Sequence, residues 1–486
     1  MSKRTIWIVL ILLVAAALRL YLLADVPPGM THDEADHGLD AWGVVNGIRP
    51  IYFTVGYGRE PFFDYATAVL MASWGPTFLA GRLIAVFSSL IMLAATYAWA
   101  KIAFNWRVAV VTAAGLAVSF WAVMTARHAL RSVTMPALFT VAAWFFWRAL
   151  RKRQRDETAW LEFVIAGVLL GMTFYTYMPA RILWAIFPAL LVFWLLFDRK
   201  VARGMWQRTV AMLGVMVAVA APLLIFLATT ESEQRLDQLS GPLTAARQGD
   251  FTPLWNNALA SLRLLTLEGD SLWRYNIPGK PFLTPVMGVL FYAGVVVAVW
   301  YLFGRKRRQY RSAAAFSLLW LVAGFSPALI TGPEASVTRA IAMQPVLYLF
   351  PALAIGEIWL GVNRYLAVDG WQRFVVPVGL VGLFVGLLVG TVNTYFDVWA
   401  NAPEVRVQYE STRVAAMRFL NENGSGAVAI SSPRPDKFHD PSTALMTLRN
   451  AAVDLRWFNG AWSLLLPDAE DSMLLFSGFA ELNPAL

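Results

Sequence analysis

Long apolar runs separated by short polar links dominate the chain. Each run approaches the ~20 residues that carry a helix across a ~30 Å hydrocarbon core. About eleven can be placed: Ile6 to Leu23, Leu79 to Phe104, Val108 to Thr125, Val133 to Leu150, Trp160 to Tyr177, Ile182 to Phe197, Val210 to Ala228, Phe282 to Phe303, Ala313 to Ile330, Ile341 to Gly361 and Val375 to Tyr395. The pattern predicts an all-α polytopic membrane protein. Every second link is short and basic, with Lys3-Arg4, Lys101 and Arg107, Arg151-Lys152-Arg153, Arg199-Lys200, Arg305 through Arg308, and Arg364. Lys and Arg collect on the cytoplasmic side, so the N-terminus is expected inside and the C-terminus outside, in the cell's inner (plasma) membrane. The first run continues past Arg19 into Leu20-Tyr21-Leu22-Leu23, too long for the apolar stretch of a signal peptide, and is expected to be the first span.

Composition agrees with the pattern. Of the 486 residues, 58% are hydrophobic and 15% charged, against ~25% charged in soluble proteins. The net charge of +9 would raise the question of nucleic acid in a soluble chain, but here the basic residues sit in the cytoplasmic links, and no nucleic acid is expected. With no cysteine, external parts have no disulfides and Cys-ligated metal is excluded. The expected organisation is a membrane domain over 1–395, with a first external loop over 25–78 carrying the active site, and a small extracytoplasmic α/β appendage over 396–486. The appendage shows a helical pattern around Thr412 to Asn421 and a strand-like Ala427-Val428-Ala429-Ile430.

Charge is missing from the middle of the spans. Glu162 and Glu357 fall toward cytoplasmic ends, and Arg19, Arg82 and Arg181 toward external ones. Ionisable groups at mid-depth mark proton and ion paths, so a proton-coupled carrier is disfavoured. The unusual residues gather at the external surface. The first loop opens with His32-Asp33-Glu34-Ala35-Asp36-His37, where a carboxylate can act as general base for an acceptor hydroxyl. Successive helical residues point ~100° apart, so of Asp33 and Glu34 one is expected to be the base and the other its support. As helix N-terminal acids they would also complement the helix dipole. His32 and His37 are spaced i, i+5, which does not align two imidazoles on one helix face; no metal or other cofactor is required, with a divalent cation there as the remaining option. Further along, Gly56-Tyr57-Gly58-Arg59-Glu60-Pro61 allows close backbone approach and offers Glu60 as a second acid. His32, His37, Tyr57, Tyr175 and Tyr177 are candidate lining residues. Arg59, Arg127, Arg131, Arg181 and Arg339 run against the inside bias of basic residues, and guanidinium groups converging near an acid suit a bound phosphate. Carboxylate base plus anion site fits sugar transfer from a lipid-linked phosphate.

These residues form an ordered set: Leu18-Arg19-Leu20-Tyr21, Pro27-Pro28-Gly29, His32-Asp33-Glu34-Ala35, Gly58-Arg59-Glu60-Pro61-Phe62-Phe63, Arg82-Leu83, the Arg127/Arg131 turn and Tyr175-Thr176-Tyr177-Met178-Pro179-Ala180-Arg181. The set resembles bacterial GT-C glycosyltransferases similar to protein O-mannosyltransferases and aminoarabinose lipid A transferases. The resemblance implies an inverting enzyme that uses a polyprenyl-phosphate sugar, with Asp33 as base, Glu34 beside it, Glu60 as second acid and the external Arg at the donor phosphate. The aminoarabinose enzymes carry Glu-Lys-Pro where this chain has Arg59-Glu60-Pro61, so acid and base exchange order there. The acceptor is expected to be a hydroxyl of a glycan, lipid or protein. A carrier or flippase of lipid-linked glycans is the competing class.

Overall fold

The structure, a computed structural model, describes every residue except 1–2, 55–57, 156, 231–240, 366–373, 436–439, 468–471, 478–480 and 486. It is mainly helical. Helix α1 (Lys3–Leu20) leads into α2 (His32–Val45) and α3 (Phe62–Trp74), both in the loop between α1 and the next long apolar helix. Then come α4 (Phe78–Ala103), α5 (Trp106–Val118), α6 (Phe120–Ala126), α7 (Thr134–Arg153) and α8 (Trp160–Thr173). Among the described residues, eight helices are long and apolar enough to cross a membrane, or nine if α5 and α6 count as one bent span. The shorter apolar helices Thr5–Leu20 and Trp160–Thr173 fall on two more of the expected runs. The run expected over Val108 to Thr125 bends by 61° between α5 and α6. Ser119 sits at the bend with extended backbone, its hydroxyl accepting from Ala122 N–H (3.4 Å) to start the second helix.

Lipid gives helices no hydrophobic reason to associate, so close packing and small residues must do it. On α8, Gly167 and Gly171 lie against the following long helix, Arg199–Thr229. A Cβ on them would come within 2.5 Å of Met212 O and 2.8 Å of Met216 O. At the bundle centre Trp99, Trp320 and Phe139 pack ring to ring, at 5.1 Å and 4.8 Å between centroids.

The C-terminal region carries a parallel three-stranded sheet in the order β2-β1-β3, with β1 Gly426–Ser431, β2 Val453–Phe458 and β3 Met473–Phe476. Val428 and Ile430 of β1 pack on Met417 and Leu420 of the helix Ser411–Asn423. The other side of this unit rests on α2: Val414 and Met446 share a core with Met30, Ala35, Ala41 and Val44, and Met30 N–H donates to Tyr409 O at 2.7 Å. The tail therefore covers the loop that holds the acidic cluster.

Candidate active site

Helix α2 is fixed by its own first turn. Thr31 Oγ1 accepts from Glu34 N–H (3.2 Å) and Glu34 Oε2 accepts from Thr31 N–H (3.0 Å), a reciprocal capping box. Glu34 is fully buried, and Oε1 also takes Arg82 Nε (3.0 Å) and Ala129 N–H (3.0 Å). Burial, the largest single influence, pushes its carboxyl up; the charge and hydrogen bond of Arg82, with His128 and the Ala129 N–H, together outweigh it and hold the group below the ordinary carboxylate range. Arg82 in turn donates to Leu23, Pro27 and Gly29 carbonyls. Glu34, a candidate catalytic acid by sequence, is thus closed off from substrate and acts as the pin between the loop and the bundle.

One position earlier, Asp33 points elsewhere. Its side chain is 49% exposed and accepts from Arg274 Nη1 (3.0 Å) and Tyr275 OH (3.3 Å). The two neighbouring carboxylates therefore face different surroundings, Glu34 the interior and Asp33 the Arg274 and Tyr275 side chains.

Asp36 and Asp40 continue the Asp33 face at i+3 and i+7. Arg59 lies buried against both, at 3.4 Å and 3.3 Å. This corrects the expectation of a phosphate contact for Arg59, because acids on α2 already compensate its charge. Burial pushes the Asp40 carboxyl up to about 7 despite Arg59. His37 Nδ1 meets Asp64 at 2.6 Å in the interior, behind the acidic face, with burial driving the acid up and the imidazole down. His37 is therefore inside the loop's core and not on a substrate wall.

Glu60 is buried between two of the predicted Arg: Oε2 meets Arg131 Nε at 3.2 Å, and Oε1 meets Arg181 Nη2 at 3.2 Å. The Arg131 guanidinium sits over the Tyr177 ring at 5.6 Å. Glu60 thus holds two guanidinium groups side by side, and the Arg181 side chain is 20% exposed. Arg127 differs. It is fully buried, donates to Leu18 O, Tyr21 O and Val26 O (2.9, 2.7 and 2.7 Å) and stacks near Tyr395 and Phe396. It holds the α1 exit and does not face a phosphate. Arg339 donates to Thr331 Oγ1 (2.9 Å), closing a turn in its own link. Tyr175 sends its hydroxyl to Val219 O (2.9 Å), into the bundle. Tyr57 lies outside the described residues.

His32 is drawn to the tail. Its Nε2 is 2.6 Å from Glu410 and 3.9 Å from Asp440. These three could offer one ligand atom each to a cation, all within 4.8 Å of one another. Arg413 pairs with both carboxylates, reaching Asp440 at 2.7 Å, and so offsets one of their two charges. The two histidines considered together as metal ligands face different partners.

Sequence reasoning missed Arg274 and Tyr275. They belong to the link between the helices Thr252–Arg263 and Pro285–Phe303, where no periodicity marks them. Asp270 fixes that link by accepting from Leu272 N–H (3.1 Å) and Val337 N–H (3.2 Å).

The family model of dolichyl-phosphate-mannose-protein mannosyltransferase matches residues 59–226. Among solved structures, the archaeal oligosaccharyltransferase AglB from Archaeoglobus fulgidus, in complex with an inhibitory peptide and a dolichol-phosphate, is similar with a TM-score of 0.57 and 14% identity, over 92% of this chain and 64% of that one. ArnT from Cupriavidus metallidurans bound to undecaprenyl phosphate is similar with a TM-score of 0.53 and 15% identity, over 92% of this chain and 86% of that one. The chain thus spans less than two thirds of the archaeal enzyme's length. No curated protein matches it in sequence. The shared architecture is the GT-C fold, the class to which the loop motifs pointed.

Proposed function

We propose that the protein is an inverting glycosyltransferase that moves a single sugar from a polyprenyl-phosphate donor to a hydroxyl acceptor on the extracytoplasmic side. The observation that carries this reading is Asp33: a half-exposed carboxylate on a helix whose neighbouring Glu34 is locked in the interior. In the proposed step the acceptor oxygen attacks the anomeric carbon as its proton passes to Asp33. The carbon–oxygen bond to phosphate breaks, and the electron pair leaves with the phosphate. The leaving group is already anionic, so no general acid is needed. Arg131 and Arg181, oriented by Glu60, stabilise the charge that develops there. The dolichol-phosphate and undecaprenyl phosphate bound to the structural neighbours support a lipid-phosphate donor.

The test is transfer by the full chain in vesicles holding a polyprenyl-phosphate sugar and no ion gradient. Asp33→Asn is expected to lose at least ~100-fold in turnover, the lower end of what a positioned base contributes, while still binding donor. Near-normal turnover would remove Asp33 from the base position. Donor that crosses the bilayer unchanged, without product, would favour a carrier.

A further inference from the structure

Three helices are tied together at one end of a long cavity. Near the active loop, Arg19 of α1 donates to Leu116 O (3.2 Å) and Ala117 O (3.0 Å) of α5. At the same level Thr391, on the helix Val375–Val392, donates to Val118 O (2.6 Å). From this closed end toward Trp7, Trp106 and Pro377, the three helices line an apolar groove of about 490 Å³. On α5 it extends from Trp106 to Val118. At 1.5 Å per residue that is ~18 Å, close to the ~15 Å of hydrocarbon in a single leaflet.

The far end is polar. A second cavity of about 260 Å³ shares Trp106, Arg107 and Trp359 with the groove and adds Tyr301, Arg307 and Glu357. Glu357 is matched there: Tyr301 OH donates to it at 2.7 Å and Arg307 pairs with it at 3.0 Å. Among the described residues that line this cavity, Arg107 is the cation left over once Arg307 has paired with Glu357. Its guanidinium lies 5.0 Å from the Trp359 ring and 5.7 Å from the Trp106 ring. Indole faces attract the charge but accept none of its five N–H donors in the way an oxyanion does.

We propose that these joined cavities bind one anionic glycerophospholipid from the leaflet opposite the active loop, its phosphate on Arg107 and one acyl chain in the groove. The groove is one leaflet deep and closed by Arg19 and Thr391 on the active-loop side, so a donor whose phosphate lies at that loop does not enter it from its own end. Net charge in the polar cavity sets the headgroup: two guanidinium groups against one carboxylate favour an anion over a zwitterion.

The experiment incubates the purified full chain with phosphatidylglycerol or phosphatidylcholine at equal ratio, washes with detergent, and counts retained lipid by native mass spectrometry. The wild-type chain is expected to keep one phosphatidylglycerol and ~10-fold less phosphatidylcholine, the factor worth one charge-assisted hydrogen bond. Arg107→Gln should lower phosphatidylglycerol retention by a similar ~10-fold. Ala114→Phe, which fills the groove, should abolish it, whereas Val296→Phe on a lipid-exposed face elsewhere should leave it unchanged. Equal retention of both lipids, unaltered binding in Arg107→Gln or Ala114→Phe, or displacement of the phosphatidylglycerol by polyprenyl phosphate would each overturn the assignment.

Discussion

Asp33 and Glu34 are chemically near-identical neighbours with opposite tasks, and helix geometry separates them. Glu34 turns inward to a capping box, Arg82 and Ala129 N–H; Asp33 turns outward to Arg274 and Tyr275. Removing Glu34 leaves the fully buried Arg82 without its carboxylate, a change that costs ~3–5 kcal/mol in comparable pairs. Glu34→Ala is therefore expected to lower the thermal unfolding temperature and the folded yield sharply, and a melting curve like that of the wild type would refute the pin. The conservative Asp33→Asn should melt like the wild type. Arg181→Ala should raise the donor KM by about tenfold, the scale of one charge-assisted bond, with little effect on acceptor KM; donor binding measured in the absence of acceptor checks this. Sequence could show that acids and Arg collect at one membrane face. It could not show which Arg are already occupied, because Arg127 meets backbone carbonyls and the rings of Tyr395 and Phe396, and Arg59 meets acids of α2, an earlier helix of the same loop. Such partners exist only once the loop has closed.

At the level of elements, α2 is the junction between bundle and tail. Its place in the loop was legible from the acids Asp33 and Glu34, which complement the dipole of a helix start, whereas the capping box between Thr31 and Glu34 appears only in the structure. Its contact with the tail was not, since Glu410 and Asp440 lie far along the chain. His32 makes this contact sensitive to pH. The hydrogen bond to Glu410 is the largest influence and raises the imidazole pKa; burial opposes it, the charges of Glu410 and Asp440 add to it, and Arg413 subtracts. For a histidine raised on docking, the stabilisation is full below the ordinary value of about 6.5 and is lost as pH rises through the raised one. Glu410 is lowered overall, although its burial pushes upward, so the acid end of the window is set by its protonation. The tail should resist a protease best at mildly acidic pH and become easier to cleave as pH rises above the ordinary histidine value of about 6.5 and through the raised one. His32→Ala should flatten that profile. A cleavage rate that does not change with pH in the wild-type chain would show that the pair contributes nothing to docking.

For the whole molecule, the apolar runs foretold a multi-span helical protein because crossing lipid permits few alternatives: backbone groups must be satisfied within each helix. The 61° break at Ser119 escaped the pattern because α5 and α6 are apolar on both sides of it. Orientation rests on the basic links alone, and the chain offers a direct way to test it. It contains no cysteine, so single-cysteine variants need no background substitutions. Ser463→Cys places an exposed thiol beyond β2 in the tail, and Thr158→Cys places one in the link between α7 and α8, next to the basic run Arg151-Lys152-Arg153. With N-terminus inside and C-terminus outside, a membrane-impermeant maleimide added to intact cells should label Ser463→Cys and reach Thr158→Cys only after the membrane is opened. The same result would put Asp33, packed beneath the tail through His32 and Glu410, on the outer side, where a lipid-linked sugar and an external hydroxyl can meet. Labelling in the reverse order would place the acidic loop in the cytoplasm and would require a donor and an acceptor available there instead.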